Sequence, residues 1–241
     1  MRVAFSILFW GYLALSSIAL FVVALCIFVL SYPIDRNGRL LHWYSAYWAA
    51  HYVRINPIWR LVLDGETAFD RRGPYVIVSN HQSFADILIL YCTHLPFKWV
   101  SKSSVFKVPF IGWNMTLNRY VALQRGDKAS IEKMAAACRA WLDRGVSVLL
   151  FPEGTRSPDG ALGRFKSGAF RLARDARVPI LPIVLDGTRD ALPKHGLVMR
   201  ASADCRVRIL PPIDATQFPS TEAASDAVRE AMARALAELR A

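Results

Sequence analysis

From Val3 to Ile34 the chain carries no Asp, Glu, Lys or Arg in 32 residues, and Phe5 to Leu30 is almost wholly apolar. About 20 such residues suffice to cross the hydrocarbon of a bilayer, whereas the apolar region of a cleaved signal peptide runs to roughly 7 to 15 and ends at small residues. The run is too long for the second description, and the bulky Leu25 precedes Cys26 where a lipoprotein site would have a small residue. A retained membrane anchor is therefore expected, either spanning or folded back as a helical hairpin at the turn Arg36 to Gly38. One arginine, Arg2, precedes the run, while Arg36, Arg39, Arg54 and Arg60 follow it. That asymmetry predicts a body on the cytoplasmic side of the membrane.

Between Leu40 and Leu63 the chain has Trp43, Tyr44, Tyr47, Trp48, Tyr52 and Trp59, with basic residues and no acid. Aromatic rings and arginine favour the headgroup level, so an interfacial helix is expected there, with a buried aromatic helix as the alternative. The predicted organisation is residues 1–62 as membrane anchor and interfacial helix, and 63–241 as an α/β domain. In the second part, short apolar runs at Tyr75 to Ser79, Val146 to Phe151, Ile180 to Leu185 and Val207 to Leu210 are bounded by turn residues and suit buried strands. Ser130 to Asp143 carries Ile131, Met134, Cys138, Trp141 and Leu142 at helical spacing. Ser220 is placed to cap a last helix with Val228, Met232, Leu236 and Leu239 in one stripe. Strands alternating with helices predict a mostly parallel central sheet flanked by helices.

A composition of 54% hydrophobic and 20% charged residues excludes disorder. The four cysteines contain no C-x-x-C pair, which argues against a zinc cage or a disulfide framework. His42, His51, His81, His94 and His195 form no metal-ligand string, so no metal is expected.

The chemistry begins where Val76-Ile77-Val78-Ser79 runs into Asn80-His81-Gln82-Ser83-Phe84-Ala85-Asp86. On an uninterrupted helix His81 and Asp86 would point about 140° apart, so they meet only if a turn intervenes, and a strand-to-helix junction supplies one. Asp86 would then accept one ring proton of His81 and leave the other nitrogen to take a proton from a hydroxyl. The competing reading has His81 capping a turn and Asp86 capping the helix. After a second strand comes Phe151-Pro152-Glu153-Gly154-Thr155-Arg156, where Arg156 offers a forked donor for phosphate and Glu153 can accept from a polyol or orient the arginine. Phe165-Lys166-Ser167-Gly168 then opens a helix, whose free N–H groups favour an anion. From Ile87 to Gly126 there is no acid, yet Lys98, Lys102, Lys107, Arg119 and Arg125 are present among aromatic residues. Such a stretch suits anionic headgroups or a phosphate; with the anchor present, nucleic acid is not expected as a partner.

Asn80-His81-Gln82-Ser83 through Asp86, Pro109 with Gly112 and Arg125, Phe151 to Arg156, and Val178-Pro179-Ile180-Leu181-Pro182 resemble the four ordered motif blocks of the glycerophospholipid acyltransferases. The pattern is most similar to the bacterial 1-acylglycerol-3-phosphate O-acyltransferase group. The resemblance implies a general base at His81 held by Asp86. It further implies acceptor-phosphate binding by Arg156, Lys102 and Arg125, with Glu153, Gly154 and Thr155 lining the same site. Pro179 and Pro182 would shape a pocket wall or acyl tunnel. Implied partners are the bilayer, a lysophospholipid acceptor, and acyl-CoA or acyl carrier protein as thioester co-substrate, with no cofactor. The expected product is phosphatidate. Lyso-ornithine lipid, another lysophospholipid or glycerol-3-phosphate are alternative acceptors, and a membrane-tethered binder without turnover is the alternative from another class.

Overall fold

Val76–Ser79 (β2), Ser147–Leu150 (β5) and Ile180–Asp186 (β6) are buried along nearly their whole length, as strands covered on both faces must be. The computed structural model describes residues 2–65, 69–71, 73–192, 198–200 and 202–241. Among these the remaining strands are Trp59–Asp64 (β1), Phe97–Lys102 (β3), Val121–Leu123 (β4) and Ala203–Ile209 (β7). They form one sheet in the order β1-β7-β6-β2-β5-β3-β4, in which only the β6–β7 pair is antiparallel. The helices are Arg2–Ser31 (α1), Arg39–Arg54 (α2), Ala85–Tyr91 (α3), Ile111–Leu117 (α4), Lys128–Leu142 (α5), Gly168–Ala176 (α6), Thr188–Ala191 (α7) and Thr221–Arg240 (α8).

Alternation along the strands divides the core in two. Ile77, Leu149, Leu181, Ile183 and Leu185 point to the side of α1, α2 and α3. Val76, Val78, Val148, Leu150, Ile180 and Val184 point to the side of α5, α6 and α8. The expected α8 stripe of Val228, Met232, Leu236 and Leu239 is buried against that second side, and the Ser220 hydroxyl accepts from Ala223 N at 3.0 Å. Helix α5 starts two residues before the expected Ser130, because Asp127 caps it by accepting from Ala129 N.

Three strands go beyond the sequence expectation. Strand β1 starts at Trp59, so the expected boundary at residues 62 and 63 falls inside a strand paired with β7. Strand β3 contains Lys98, which is fully buried rather than facing headgroups. Its ammonium donates to Asn118 O at 2.8 Å and lies 4.6 Å from the centre of the Trp141 ring, so the charge is compensated within the fold. Burial draws its pKa down to about 8, with Arg119 adding to the shift and Asp35 opposing it. Strand β4 has only three residues.

The aromatic segment divides between the interfacial and the buried reading. Trp48, Tyr52 and Trp59 belong to the core, while Trp43 and Tyr47 are exposed. Helix α1 is the described helix long and apolar enough to cross a membrane, and most of its apolar surface is exposed, as befits a membrane-associated protein. It is nonetheless packed along the fold. Ser6 Oγ accepts from Met199 N, Tyr44 donates to Leu20 O, and Phe21 packs on Phe110 and Trp113.

Helix α2 is tied to the sheet by a buried hydrogen-bond chain. Tyr91 donates to the Tyr120 hydroxyl at 3.0 Å, and Tyr120 lies 2.8 Å from Nδ1 of His42. His42 Nε2 faces Leu95 O at 2.9 Å. A carbonyl only accepts, so Nε2 carries the proton and Nδ1 accepts from Tyr120. Burial draws the His42 pKa down to about 4, opposed by the bond to Leu95 O and aided by Lys98. Between that value and the unfolded pKa near 6.5 the unfolded chain binds the extra proton, so stability is present above pH 6.5 and lost as pH falls toward 4. In acid titrations of melting, the wild-type protein should therefore lose stability relative to His42→Gln by up to about 1.4 kcal/mol per pH unit across that window. Gly112 of α4 supplies a second test. A Cβ there would lie 2.4 Å from Phe106 O and 2.6 Å from Val105 O, so Gly112→Ala should cost about 1–3 kcal/mol in thermal or denaturant unfolding.

Candidate active site

The loops that follow β2, β3, β4 and β5 meet at the carboxyl ends of parallel strands, the usual place for a ligand crevice in an open sheet of this type. After β2 the chain is held by side chains rather than by the ladder. Asn80 Nδ2 donates to Leu185 O at 2.8 Å, and Leu185 N donates to Asn80 Oδ1 at 2.7 Å. Gln82 also donates to Leu185 O, and the buried Ser83 hydroxyl donates to Leu192 O and accepts from Ala85 N. Ser83 is thereby a tether and has no nucleophile's exposure.

The turn anticipated between His81 and Asp86 is present. His81 Nδ1 is 2.7 Å from Asp86 Oδ2, in the first turn of α3. The same Oδ2 accepts from Gln82 N at 2.7 Å and Ser83 N at 2.9 Å. The pairing reading therefore holds and the capping one does not: Asp86 makes no helix-capping bond to α3, whose N-cap position is Phe84, and its carboxylate instead gathers the preceding turn and the imidazole. With Nδ1 donating to a carboxylate, Nε2 is left as the acceptor nitrogen. The ring stacks on Phe151 at 4.0 Å between centroids and 12° between planes, which fixes its orientation.

Glu153 differs from its expected role. Its Oε1 accepts from His81 N at 2.9 Å and its Oε2 from Gly163 N at 3.0 Å, so the buried carboxylate serves the backbone and does not line the cavity. Burial raises its pKa, and those two N–H bonds oppose the shift. Ser157 N closes the same junction by donating to His81 O at 2.7 Å. The backbone N–H groups of residues 81–83, expected as oxyanion donors beside His81, are all occupied by carboxylates. Gly154 adopts φ 71°, and a Cβ there would lie 2.8 Å from Lys166 Nζ. The start of α6 at Gly168 does not reach the cavity.

A cavity of about 450 Å³ joins the remaining groups. His81, Lys102, Arg125, Gly154, Thr155 and Arg156 line it together, as the sequence grouped them. Lys102 and Arg125 are exposed, and Arg156 is half-buried with its guanidinium 4.1 Å from the Phe84 ring centre. Burial lowers the Arg156 pKa; Asp86 opposes the shift and Arg125 adds to it, which means that the two guanidinium groups feel each other's charge. An anion between them would relieve that repulsion. Inward the lining turns apolar, with Leu13 of α1, Trp48 and Tyr52 of α2, Leu88 and Tyr91 of α3 and Met115 of α4. The two N-terminal helices are therefore walls of the site. Pro179 and Pro182 are not in the lining; Pro182 pairs with Val78 inside the sheet.

Sequence reasoning gave no role to Phe84 and Phe151, although both stand inside the quoted motifs. Among the described residues no His, Cys, Asp and Glu group could hold a metal, and His195 lies outside them. Replacing Glu153 with Gln leaves one of two buried N–H groups facing a donor. A loss of about 1–3 kcal/mol is expected, seen as a lower melting temperature together with reduced turnover; an unchanged melting temperature would refute this backbone role.

Comparison with known proteins agrees with this geometry. A 1-acyl-sn-glycerol-3-phosphate acyltransferase of Chlamydomonas reinhardtii is 39% identical over 190 residues, covering 78% of this chain and 57% of that one. A chloroplastic 1-acyl-sn-glycerol-3-phosphate acyltransferase of Arabidopsis thaliana is 38% identical over 200 residues, covering 81% and 55%. The chain thus spans a little over half the length of these curated relatives. The crystal structure of the 1-acyl-sn-glycerophosphate acyltransferase of Thermotoga maritima has the same fold, with TM-score 0.80 at 24% identity over 100% of this chain and 98% of that one. The family model described as Acyltransferase matches residues 60–186, from within β1 to the end of β6 and through His81, Asp86 and Arg156, and this chain belongs to the acyltransferase family.

Proposed function

We propose that the protein transfers a fatty acyl group from a thioester donor, acyl-CoA or acyl carrier protein, to the sn-2 hydroxyl of 1-acylglycerol-3-phosphate, making phosphatidate. The observation that carries this reading is the joining, in one cavity, of an oriented imidazole, three cationic side chains and an apolar interior. His81 Nε2 takes the hydroxyl proton as the acceptor oxygen attacks the thioester carbonyl carbon. Asp86 holds the imidazolium that forms. The C–S bond then breaks, the ester remains, and the thiolate recovers the proton from His81. Lys102, Arg125 and Arg156 hold the acceptor's phosphate, and Thr155 and Gly154 line its path. The apolar end takes an acyl chain. Three cationic groups lining one cavity favour a phosphate-bearing acceptor over a phosphate-free one such as lyso-ornithine lipid.

The lipid substrates enter from the leaflet beside α1. The arginines that follow α1 support a placement on the cytoplasmic side of a bacterial inner membrane, where the thiol carriers are. Contacts of α1 with Met199, with Tyr44 of α2 and with Trp113 of α4 support an anchor embedded beside the domain rather than a free-standing span.

A mass-spectrometric assay in detergent tests the reading, with lysophosphatidate, glycerol-3-phosphate and lyso-ornithine lipid offered with each donor. Phosphatidate from lysophosphatidate is the expected product. His81→Ala should lower turnover on the order of 100-fold or more with the melting temperature retained. Asp86→Asn should lower it comparably, and Arg156→Ala should act mainly by raising KM for lysophosphatidate. An active His81→Ala protein, or no acylated product from any pair, would overturn the assignment.

A further inference from the structure

A second cavity, of about 690 Å³, lies on another face of α2. Arg39, Leu40, His42, Trp43 and Ala46 line it, whereas Ser45, Trp48, Ala49 and Tyr52 line the first. Pro96, Val146 and Ser147 complete it at the beginnings of β3 and β5, the end of the sheet opposite to His81 and Arg156. It is therefore not an extension of the acyl-transfer cavity.

Among the described residues its lining holds the two guanidinium groups of Arg39 and Arg71, with His94 beside them, and no Asp or Glu. Arg71 is held in place, its Nη2 donating to Thr93 O at 2.8 Å. Arg54 stands 3.4 Å from His94 Nε2 and 5.7 Å from the Tyr47 ring centre, adding a further guanidinium at the edge. The acids adjoining these residues in the chain, Asp35 and Asp70, are outside the lining, and Asp35 is engaged with Arg39 N and Leu40 N at the start of α2. The edge is also apolar. Leu40 and Trp43 are more than half exposed, and Trp43 packs on Tyr47 at 4.4 Å. Leu40 and Tyr47 flank Tyr44 on the helix surface, and Tyr44 bonds to Leu20 O of α1, so this edge continues the exposed apolar face of α1. Guanidinium forks just beyond an apolar, membrane-seeking surface stand at headgroup depth.

We propose that this cavity is a second phosphate site, which takes the headgroup of an anionic, non-substrate phospholipid of the surrounding leaflet between Arg39 and Arg71, with Trp43 at its lipid edge. The proposal rests on membrane association through α1 and not on the acyl-transfer reading. Planar guanidinium groups match phosphate oxygens two at a time, which an ammonium does not.

Vesicle flotation of the full chain tests it, with phosphatidylcholine vesicles compared to vesicles in which a third of the lipid is phosphatidylglycerol. Arg39→Lys/Arg71→Lys keeps the net charge. It should reduce the preference for anionic vesicles about fivefold or more while binding to phosphatidylcholine is unchanged. Arg39→Lys alone, at an exposed side chain that cannot disturb the core, should reduce it several-fold. Preference unaltered by these exchanges would mean diffuse adsorption and overturn the site. Loss of the wild-type preference in millimolar inorganic phosphate would assign the cavity to free phosphate and overturn the lipid. Turnover of lysophosphatidate in detergent should stay at the wild-type level in both variants, and a parallel fall would overturn its separateness from the catalytic cavity. Failure of the wild-type protein to turn over would leave the vesicle result standing, so the two readings fail separately.

Discussion

A carboxylate with no exposed surface, Asp86, sets the terms for the rest of the site. Burying a charge is costly unless donors surround it, and here three N–H groups converge on one oxygen. Two of them are consecutive backbone amides, so the chain must turn sharply between β2 and α3. The third is the imidazole, whose position follows from the turn. Everything that holds the turn thereby holds the imidazole: Asn80 on Leu185, Ser83 on Leu192, and Glu153 on the amide of His81 itself. A second buried carboxylate thus braces the first from the neighbouring strand end. The loops after β2 and β5 are bonded into one unit, as their adjacent strands allow.

The aromatic residues carry this order outward. His81 stacks on Phe151, Phe151 meets Trp99, and Trp99 meets Tyr91, whose hydroxyl starts the buried chain to His42. From the His81 loop to α2 there is continuous contact among rigid rings. The proposed transfer to a lipid acceptor needs a site that faces water at one end and a leaflet at the other. Here the two ends are joined by rings that bring little conformational freedom of their own.

Much of this was legible in the sequence where local pattern decides the outcome. The buried inner strands, the α8 stripe with its Ser220 cap and the need for a turn between His81 and Asp86 follow from periodicity and helix geometry. What was not legible depends on distant partners. Lys98 looks like a surface cation until Asn118 and Trp141 are brought over it. Strand β1 is an edge strand that alternates between buried and exposed positions, and its basic and aromatic residues suit a headgroup layer equally well. Glu153 stands beside Arg156 in the chain, yet its oxygens turn to backbone amides that no motif string displays. The prolines at 179 and 182 resemble pocket formers, but the sheet absorbs them.

The pairing of Asn80 with Leu185 has a further meaning. A carboxamide presents one donor and one acceptor side by side, the same complement as a peptide unit. By meeting both the N–H and the C=O of Leu185, the side chain stands in for the peptide that β2 would have offered had it continued straight. The ladder to β6 gains one more rung while the main chain is released from the sheet plane a residue early. Asp would face the Leu185 carbonyl with a like dipole, and Gln would overreach by a methylene. The strand ends in chemistry because a side chain impersonates its backbone, and at that position asparagine is less a motif letter than a splice.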